Sequence, residues 1–382
     1  MADRSNRGGE GSDKIVKTEL FWKLLHKQIA PKNSVDRKRI NYTLAEIDSV
    51  LQAVVEVLGK DETLLTMSPP IVIVGDIHGQ YYDLIRMFNT FGETNKDGSA
   101  SVSGVTNGRY LFLGDYVDRG TNSLECIMMV FTLKILFPRH YGLLRGNHEC
   151  RAINKVYGFY DELVDRYGQD DADALWHSFN NAFAMLPLAA MIGKKILCMH
   201  GGISPELHSL EDIRAIKRPL EDPASYPTTL AVDLLWADPM IGLSGWVPNH
   251  VRGVSCYFGE DRVEAICKQL GLELIVRAHQ MMQNGYHFFC NRKLITIFTA
   301  PRYFVEKNNK GATLKVDKSG KLSIKILLPT TEDKRGENVF RRELDQTYSD
   351  DSGYQVFVPP LPPANPRPSK AASKRQSQGH HG

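Results

Sequence analysis

Asp76 and His78 stand two residues apart at the end of the apolar run Ile71-Val72-Ile73-Val74, with Gly75 and Gly79 around them. The same arrangement recurs along the chain. "YLFLG" is followed by Asp115, Asp118 and Arg119, and "YGLLRG" by Asn147, His148 and Glu149. "KILCM" is followed by His200, "LELIVRA" by His279, and "LITIFTAPR" by Tyr303. Mixed carboxylate, amide and imidazole donors suit manganese, iron or zinc. There is too much histidine for a calcium site and no thiolate set for structural zinc. Six candidate ligands (Asp76, His78, Asp115, Asn147, His200, His279) exceed what one open site needs. They suit two metals that share a bridging carboxylate, and the arginines among them match phosphate oxygens through a planar fork. The chemistry these residues point to is metal-assisted hydrolysis of a phosphate ester.

Taken singly, each segment has a plainer explanation. One Asp-x-His after a strand is as often a structural turn as a site. A lone His200 or His279 is more often a satisfied buried histidine than a ligand, and Asp118-Arg119 alone reads as a salt-bridged turn. The segments in order, each after an apolar run, are not independent accidents.

The elements that must position them follow from the same pattern. Apolar runs at 71–75, 110–114, 141–145, 195–199, 272–277 and 294–299 alternate with helix-like segments, an α/β arrangement. Ligands in open α/β sheets bind beyond the carboxyl ends of the strands, so six strand ends converge on one crevice. Upstream, Leu20, Trp22, Leu24 and Leu25 recur at helical spacing. Leu44, Ile47, Val50, Leu51, Val54, Val55 and Leu58 form a cleaner stripe that stops at Gly59. Residues 14–60 read as a helical cap on a domain spanning 14–330. Residues 1–13 read as disordered, 92–108 as a Gly/Ser-rich surface loop, and 331–382 as a disordered Pro-rich basic tail.

Composition excludes several classes. The 382 residues are 42% apolar and 24% charged, as in a soluble globular protein. No apolar run approaches a membrane span, and "MADRSNRGGEGSDK" has no h-region. Six cysteines without C-x-x-C spacing imply free thiols in a reducing compartment, cytoplasmic or nuclear. The net charge of +3 comes from four basic residues after position 351. The remainder holds 43 basic against 44 acidic residues, which gives no nucleic-acid-binding surface.

"GDIHGQ" (75–80), "GDYVDRG" (114–120), "RGNHE" (145–149), "HGGISP" (200–205) and "RAHQ" (277–280) together resemble the signature set of the phosphoprotein phosphatase family of serine/threonine phosphatases, over roughly residues 15–330. "DLLWADP" (233–239), "RGVSCYFG" (252–259) and "GYHFF" (285–289) are most similar to its type-1 branch. The resemblance implies a calcineurin-like metallophosphoesterase fold, a central β-sandwich flanked by helices, of α/β (α+β) class. It implies that Asp76, His78 and Asp115 hold one divalent metal, manganese first with iron or zinc as alternatives. Asp115 would bridge to a second held by Asn147, His200 and His279. Arg119, Asn147, Arg252 and Tyr303 would bind phosphate. His148 would protonate the leaving serine or threonine oxygen, with Asp118 orienting it. The expected mechanism is direct in-line attack by metal-bound hydroxide, without a phosphoenzyme.

The sequence departs from the family near its last core strand. Thr299-Ala300-Pro301-Arg302-Tyr303-Phe304 stands where Ser-Ala-Pro-Asn-Tyr-Cys is usual, and "VEKNNKG" (305–311) differs too. Regulatory subunits of the type-1 branch carry an Arg-Val-x-Phe-type motif and dock in an apolar groove that Ile196, Leu274, Phe288 and Arg292 match. Gly320, Lys321 and Ile324 fall where larger apolar residues are usual. Lys321 is expected to put a charge into that wall and weaken or shift docking. Two other functions compete: a non-catalytic scaffold, against which the complete ligand set argues, and a phosphoesterase acting on nucleotides, which the "RGNHE" and "HGGISP" contexts disfavour.

Overall fold

The computed structural model describes residues 19–29, 39–91, 105–106, 108–223, 229–304, 306–329, 347–349 and 355–357. The expectations for residues 1–13, for most of 92–108 and for most of the tail fall outside them.

All six apolar runs are strands, and they divide between two sheets. β1 (Leu64–Met67), β2 (Ile71–Val74), β3 (Tyr110–Phe112), β4 (Tyr141–Leu143), β5 (Ala189–Ile192) and β6 (Ile196–Met199) come first. The short β7 (Asp238–Pro239), β8 (Trp246–Pro248) and β9 (Cys256–Phe258) form a separate three-stranded sheet. β10 (Leu274–Arg277), β11 (Tyr286–Phe289), β12 (Leu294–Ile297), β13 (Gly311–Val316) and β14 (Leu322–Leu327) follow. One large sheet runs β14-β13-β2-β3-β4 and the other β1-β5-β6-β10-β12-β11. Within them β2, β3 and β4 are parallel, as are β6, β10 and β12. β15 (Thr347–Ser349) and β16 (Gln355–Phe357) pair antiparallel.

Successive side chains of a strand point to opposite faces. Ile71 and Ile73 of β2 therefore enter the layer between the sheets, with Leu111, Cys198, Val276, Ile295 and Leu314. Val72 and Val74 face outward into a helical layer. A strand buried on both faces needs apolar residues at every position, which is why these runs are continuous and not alternating.

The helix at 19–29 and the helix Leu44–Leu58 belong to that outer layer. Thr43 starts the second with a reciprocal capping box to Glu46, and Ile47, Val50, Leu51, Val54 and Leu58 are buried. They pack against Ser123–Leu136, a helix buried from Ser123 to Lys134. A helix apolar on all sides belongs inside a protein. The opposite sheet is covered by Leu230–Trp236 and Glu260–Leu270. The result is a β-sandwich with helices on both outer faces.

Candidate active site

The carboxyl ends of β2, β3 and β4 from one sheet and of β6, β10 and β12 from the other meet at one end of the sandwich. Their approach is backbone to backbone. A Cβ on Gly114 would lie 2.3 Å from the Gly146 nitrogen, and one on Gly146 would lie 2.3 Å from the Asp115 nitrogen. Only glycine permits that contact. His78, Asp115, Asp118, Arg119 and His279 all have φ between 46° and 72°. Non-glycine residues rarely hold the left-handed region, and such strain gathers at functional sites.

One donor cluster is built around His200. Its Nδ1 is 3.0 Å from the Leu113 carbonyl, which fixes that nitrogen as a donor. Its Nε2 lies 2.9 Å from Asn147 Oδ1, 3.1 Å from His279 Nδ1 and 3.4 Å from Asp115 Oδ1. With His200 Nδ1 protonated, its Nε2 offers a lone pair to the space it shares with Asn147 Oδ1, His279 Nδ1 and Asp115 Oδ1. An oxygen and nitrogen donor set gathered this closely suits a cation. Burial by itself would lower the His200 pKa, but Asp115, with Asp76 and Glu149, outweighs it and raises it. The site wants positive charge, and the donor set fits a divalent metal.

The other cluster shares Asp115. His78 Nδ1 is 3.0 Å from the Val117 carbonyl, leaving Nε2 at 3.4 Å from Asp115 Oδ2 and 3.8 Å from Asp76 Oδ2. The two oxygens of Asp115 thus face the two clusters. Burial pushes His78 down to about 3 and holds His279 well below the usual imidazole range. Neutral imidazoles are the form that ligates metal. Burial, then Asp115, lifts Asp76 to about 6. Burial would raise Asp115 too, but His200 and His148 outweigh it and hold it below the carboxylate range.

His148 also lies close to His78 and Asp115. Its Nδ1, however, is 2.6 Å from Asp118 Oδ2, so the ring is anchored through Nδ1 and turns its Nε2 edge the other way. Asp118 is fixed in turn, its Oδ1 accepting from the Phe159 N–H at 2.9 Å. A small pocket is lined by Asp76, His78, Asp115, Asn147, His148, Arg252, His279 and Tyr303. Arg119, expected to bind phosphate, is not among the residues lining that pocket; it lines another, its guanidinium 4.2 Å over the Tyr157 ring.

The arginines divide by what they touch. Arg252 faces the pocket while its Nε donates to Asp238 at 2.9 Å. Arg277, beside His279 in sequence, is fully buried and spent on Gly201 O, Ala237 O, Gln280 and Asp238. Arg145 is bound to Glu149 O and Leu220 O. Not every arginine in the motifs is aimed at phosphate.

Sequence reasoning missed two acids. Glu149 accepts from the backbone N–H groups of Asp115, Tyr116 and Gly146 and so sets the Asp115 turn. Asp238 joins Arg252 to Arg277. Their only signal was position, an acid closing "RGNHE" and one inside "WADP".

The expected docking residues lie at the far edge of the sandwich. Ile196 and Leu274 are paired in register and share the inter-sheet layer, against which Phe288 and Ile324 pack. The Arg292 guanidinium is 5.1 Å from the Phe288 ring. Lys321 stands in the turn that precedes β14. Asp317 Oδ1 accepts from the Ser319 and Lys321 N–H groups in a tight turn, which starts β14 at Leu322 opposite Val316. Alternation then puts Leu322, Ile324 and Ile326 on one face and Lys321, Ser323 and Lys325 on the other. The charge expected in the apolar wall is turned away from it.

A β-sandwich whose converging strand ends carry two histidine-carboxylate clusters is the architecture of a metal-dependent phosphoesterase. The family model of the calcineurin-like phosphoesterases matches residues 69–283, and the chain belongs to that family. It is 42% identical over 288 residues to the serine/threonine-protein phosphatase PP1-delta of Caenorhabditis elegans, which is 75% of this chain and 88% of that one. A solved structure of a protein serine/threonine phosphatase from Saccharomyces cerevisiae, with similarity to human phosphatase PP5, matches with a TM-score of 0.70. Its identity is 28%, over 82% of this chain and 98% of the yeast chain.

Proposed function

We propose that this chain is the catalytic subunit of a serine/threonine protein phosphatase, hydrolysing phosphoserine and phosphothreonine monoesters in proteins. The observation that carries the proposal is the His148–Asp118 pair opening onto a pocket walled by both donor clusters and Arg252. The identity to PP1-delta supports the substrate class.

Asp76, His78 and Asp115 would hold one divalent metal, and Asp115, Asn147, His200 and His279 a second. Manganese suits these donors, with iron or zinc as alternatives. When bound, the pair supplies Lewis acidity at the phosphoryl oxygen and lowers the pKa of the attacking water. Arg252, held by Asp238, presents a guanidinium to the phosphoryl oxygens, with Arg119, Asn147 and Tyr303 as further contacts. His148 gives the Nε2 proton to the departing serine or threonine oxygen. Asp118 fixes the ring's tautomer and stabilises its charged form. Attack runs in line, with no phosphoenzyme.

Regulatory subunits carrying an Arg-Val-x-Phe-type segment would dock between β11 and β14, where Phe288 and Leu322 flank the open edge of the sandwich. The reading places the protein in cytoplasm or nucleus with no nucleic-acid partner. Among the described residues no helix is long and apolar enough to cross a membrane.

Activity of the Mn²⁺-loaded full chain on phosphoserine and phosphothreonine peptides, against nucleoside phosphates and dinucleoside polyphosphates, tests the proposal. Phosphopeptide turnover that disappears in Asp115→Asn is expected. Preference for nucleotides overturns the substrate class, and inertness on every substrate leaves the scaffold reading.

A further inference from the structure

The segment between β12 and β13 closes one side of the pocket through Tyr303. The Tyr303 ring lies against His78, centroids 5.0 Å apart and 29° from parallel. Phe298 meets its other side edge-on at 5.2 Å, and Phe304 at 4.8 Å. Stacked rings fix a side chain only if its backbone is fixed too. Here the backbone is held by one residue six positions on.

Asn309 is completely buried in a loop whose neighbours Asn308 and Lys310 are not. Its Oδ1 accepts from the Tyr303 N–H at 2.8 Å. Its Nδ2 donates to Ala300 O at 2.9 Å and to Lys310 O at 3.1 Å. Its own carbonyl accepts from the Arg302 N–H at 2.7 Å. The Asn309 side-chain amide and backbone carbonyl therefore tie the outgoing arm of the loop to the incoming one at Tyr303 and at the residues just before it. A buried amide with both ends satisfied rigidifies what it joins. No simpler packing explains it, because an apolar residue of that volume would leave the Tyr303 N–H and the Ala300 carbonyl unpaired.

We propose that Asn309 is a positioning residue for phosphate recognition, acting through Tyr303; this rests on the phosphatase reading above. It touches neither the donor clusters nor the pocket. It sets the height and tilt at which Tyr303 meets the bound phosphoryl group. Its loss leaves the chemical step intact and loosens binding.

The test uses Asn309→Gly and Asn309→Asp in the full chain. Glycine removes the whole side chain and with it every bond of the amide. Aspartate keeps the acceptor for Tyr303. For Asn309→Gly, backbone exchange at Tyr303 should speed by about tenfold or more by hydrogen-exchange mass spectrometry. KM for a phosphopeptide should rise about tenfold with kcat within about threefold, and affinity for inorganic phosphate should fall by the same factor on the Mn²⁺-loaded protein. Combined with Tyr303→Ala, Asn309→Gly should add less than about twofold, because its effect runs through that ring. Asn309→Asp should keep Tyr303 exchange closer to wild type than Asn309→Gly does. Unchanged exchange, unchanged KM, or a penalty that adds in full to Tyr303→Ala overturns the proposal. So does aspartate behaving as glycine, which would assign the effect to the bonds of the amide nitrogen. If wild type turns over no phosphopeptide, the phosphatase reading falls separately, and exchange with phosphate affinity still decides the role of Asn309.

Discussion

His148 Nδ1 lies 2.6 Å from Asp118 Oδ2, with both side chains buried. The Phe159 N–H at 2.9 Å holds the other carboxylate oxygen, so the pair is set by backbone and not by solvent. A histidine anchored at Nδ1 presents a single tautomer to the pocket, which is what a general acid needs. Asp118→Asn keeps the shape and removes the charge. We expect kcat on a phosphopeptide to fall by about 10²–10⁴-fold with KM within about threefold. Mn²⁺ affinity by calorimetry should be retained. A parallel loss of metal would place Asp118 in the metal site and not in proton transfer.

Asp115 faces both donor clusters at 3.4 Å. A carboxylate shared by two cations should couple metal binding to stability. A ligand at about 100 times its Kd stabilises the folded state by about 2.7 kcal/mol. Mn²⁺ should therefore raise the Tm of chelator-treated protein by several degrees, and Asp115→Asn should abolish most of that rise along with turnover. A full Mn²⁺-dependent Tm shift in Asp115→Asn would sink the bridging role.

Glu162 accepts from the Ser123 and Leu124 N–H groups and so caps the central helix just beyond Asp118. Burial is the main influence on its carboxyl; Arg166 pulls the other way, yet the pKa is lifted from 4.5 to about 7. A folded-state pKa above the unfolded value means the folded chain binds the extra proton. Its contribution is present at low pH and is lost as pH rises from about 4.5 to 7. Glu162→Gln has no such proton. Its stability deficit against wild type, from urea unfolding of metal-free protein, should be larger near pH 5 than at pH 8, by on the order of 2 kcal/mol. A deficit that grows with pH would reverse the sign and refute the assignment.

Asp238 is shared by two buried guanidiniums, Arg252 and Arg277, each at 2.9 Å. Removing one partner from a buried ion pair leaves charge uncompensated, at about 3–5 kcal/mol. Asp238→Ala should lower urea stability by about that much. The milder Asp238→Asn should raise KM for phosphopeptide, because Arg252 loses its anchor. An unchanged KM in a folded Asp238→Asn protein would mean that Arg252 does not depend on it.

Much of this site was legible because its strands are buried on both faces. β2, β3, β4, β6, β10 and β12 each show as an unbroken apolar run that stops at a polar residue. What the runs do not carry is which sheet each joins, because that depends on pairing partners far away in sequence. β14 was missed for the opposite reason: Leu322-Ser323-Ile324-Lys325-Ile326 alternates as a half-exposed edge strand does, and it follows a hydrophilic turn. The arginines show the same limit. Arg252 and Arg277 look alike in sequence, and only Gly201 and Ala237, brought in by two other segments, together with Gln280 three residues on, decide that Arg277 is structural. Glu149 and Asn309 act on backbone N–H groups, and a side chain whose partner is backbone leaves no complementary residue to find.

The orientation of β14 makes a last prediction, one that reverses an expectation from sequence. The Asp317 turn fixes Leu322 opposite Val316, so alternation sets Lys321 on the face opposite Leu322 and Ile324, and Ile324 packs on the inter-sheet layer with Phe288. A charge on the far side of a strand acts on a docked peptide only through solvent, where salt screens it. Lys321→Ala should therefore change the Kd for an Arg-Val-x-Phe peptide by less than about threefold, measured by fluorescence polarisation. Leu322→Asp puts a carboxylate on the docking face itself and should weaken binding by more than about tenfold, a loss of about 1.4 kcal/mol or more. Neither substitution should alter turnover of a small phosphorylated substrate, since the edge lies away from the metal ligands. If Lys321→Ala tightens binding strongly while Leu322→Asp has no effect, then the peptide reads the opposite face of β14, and the groove between the two sheets is not its site.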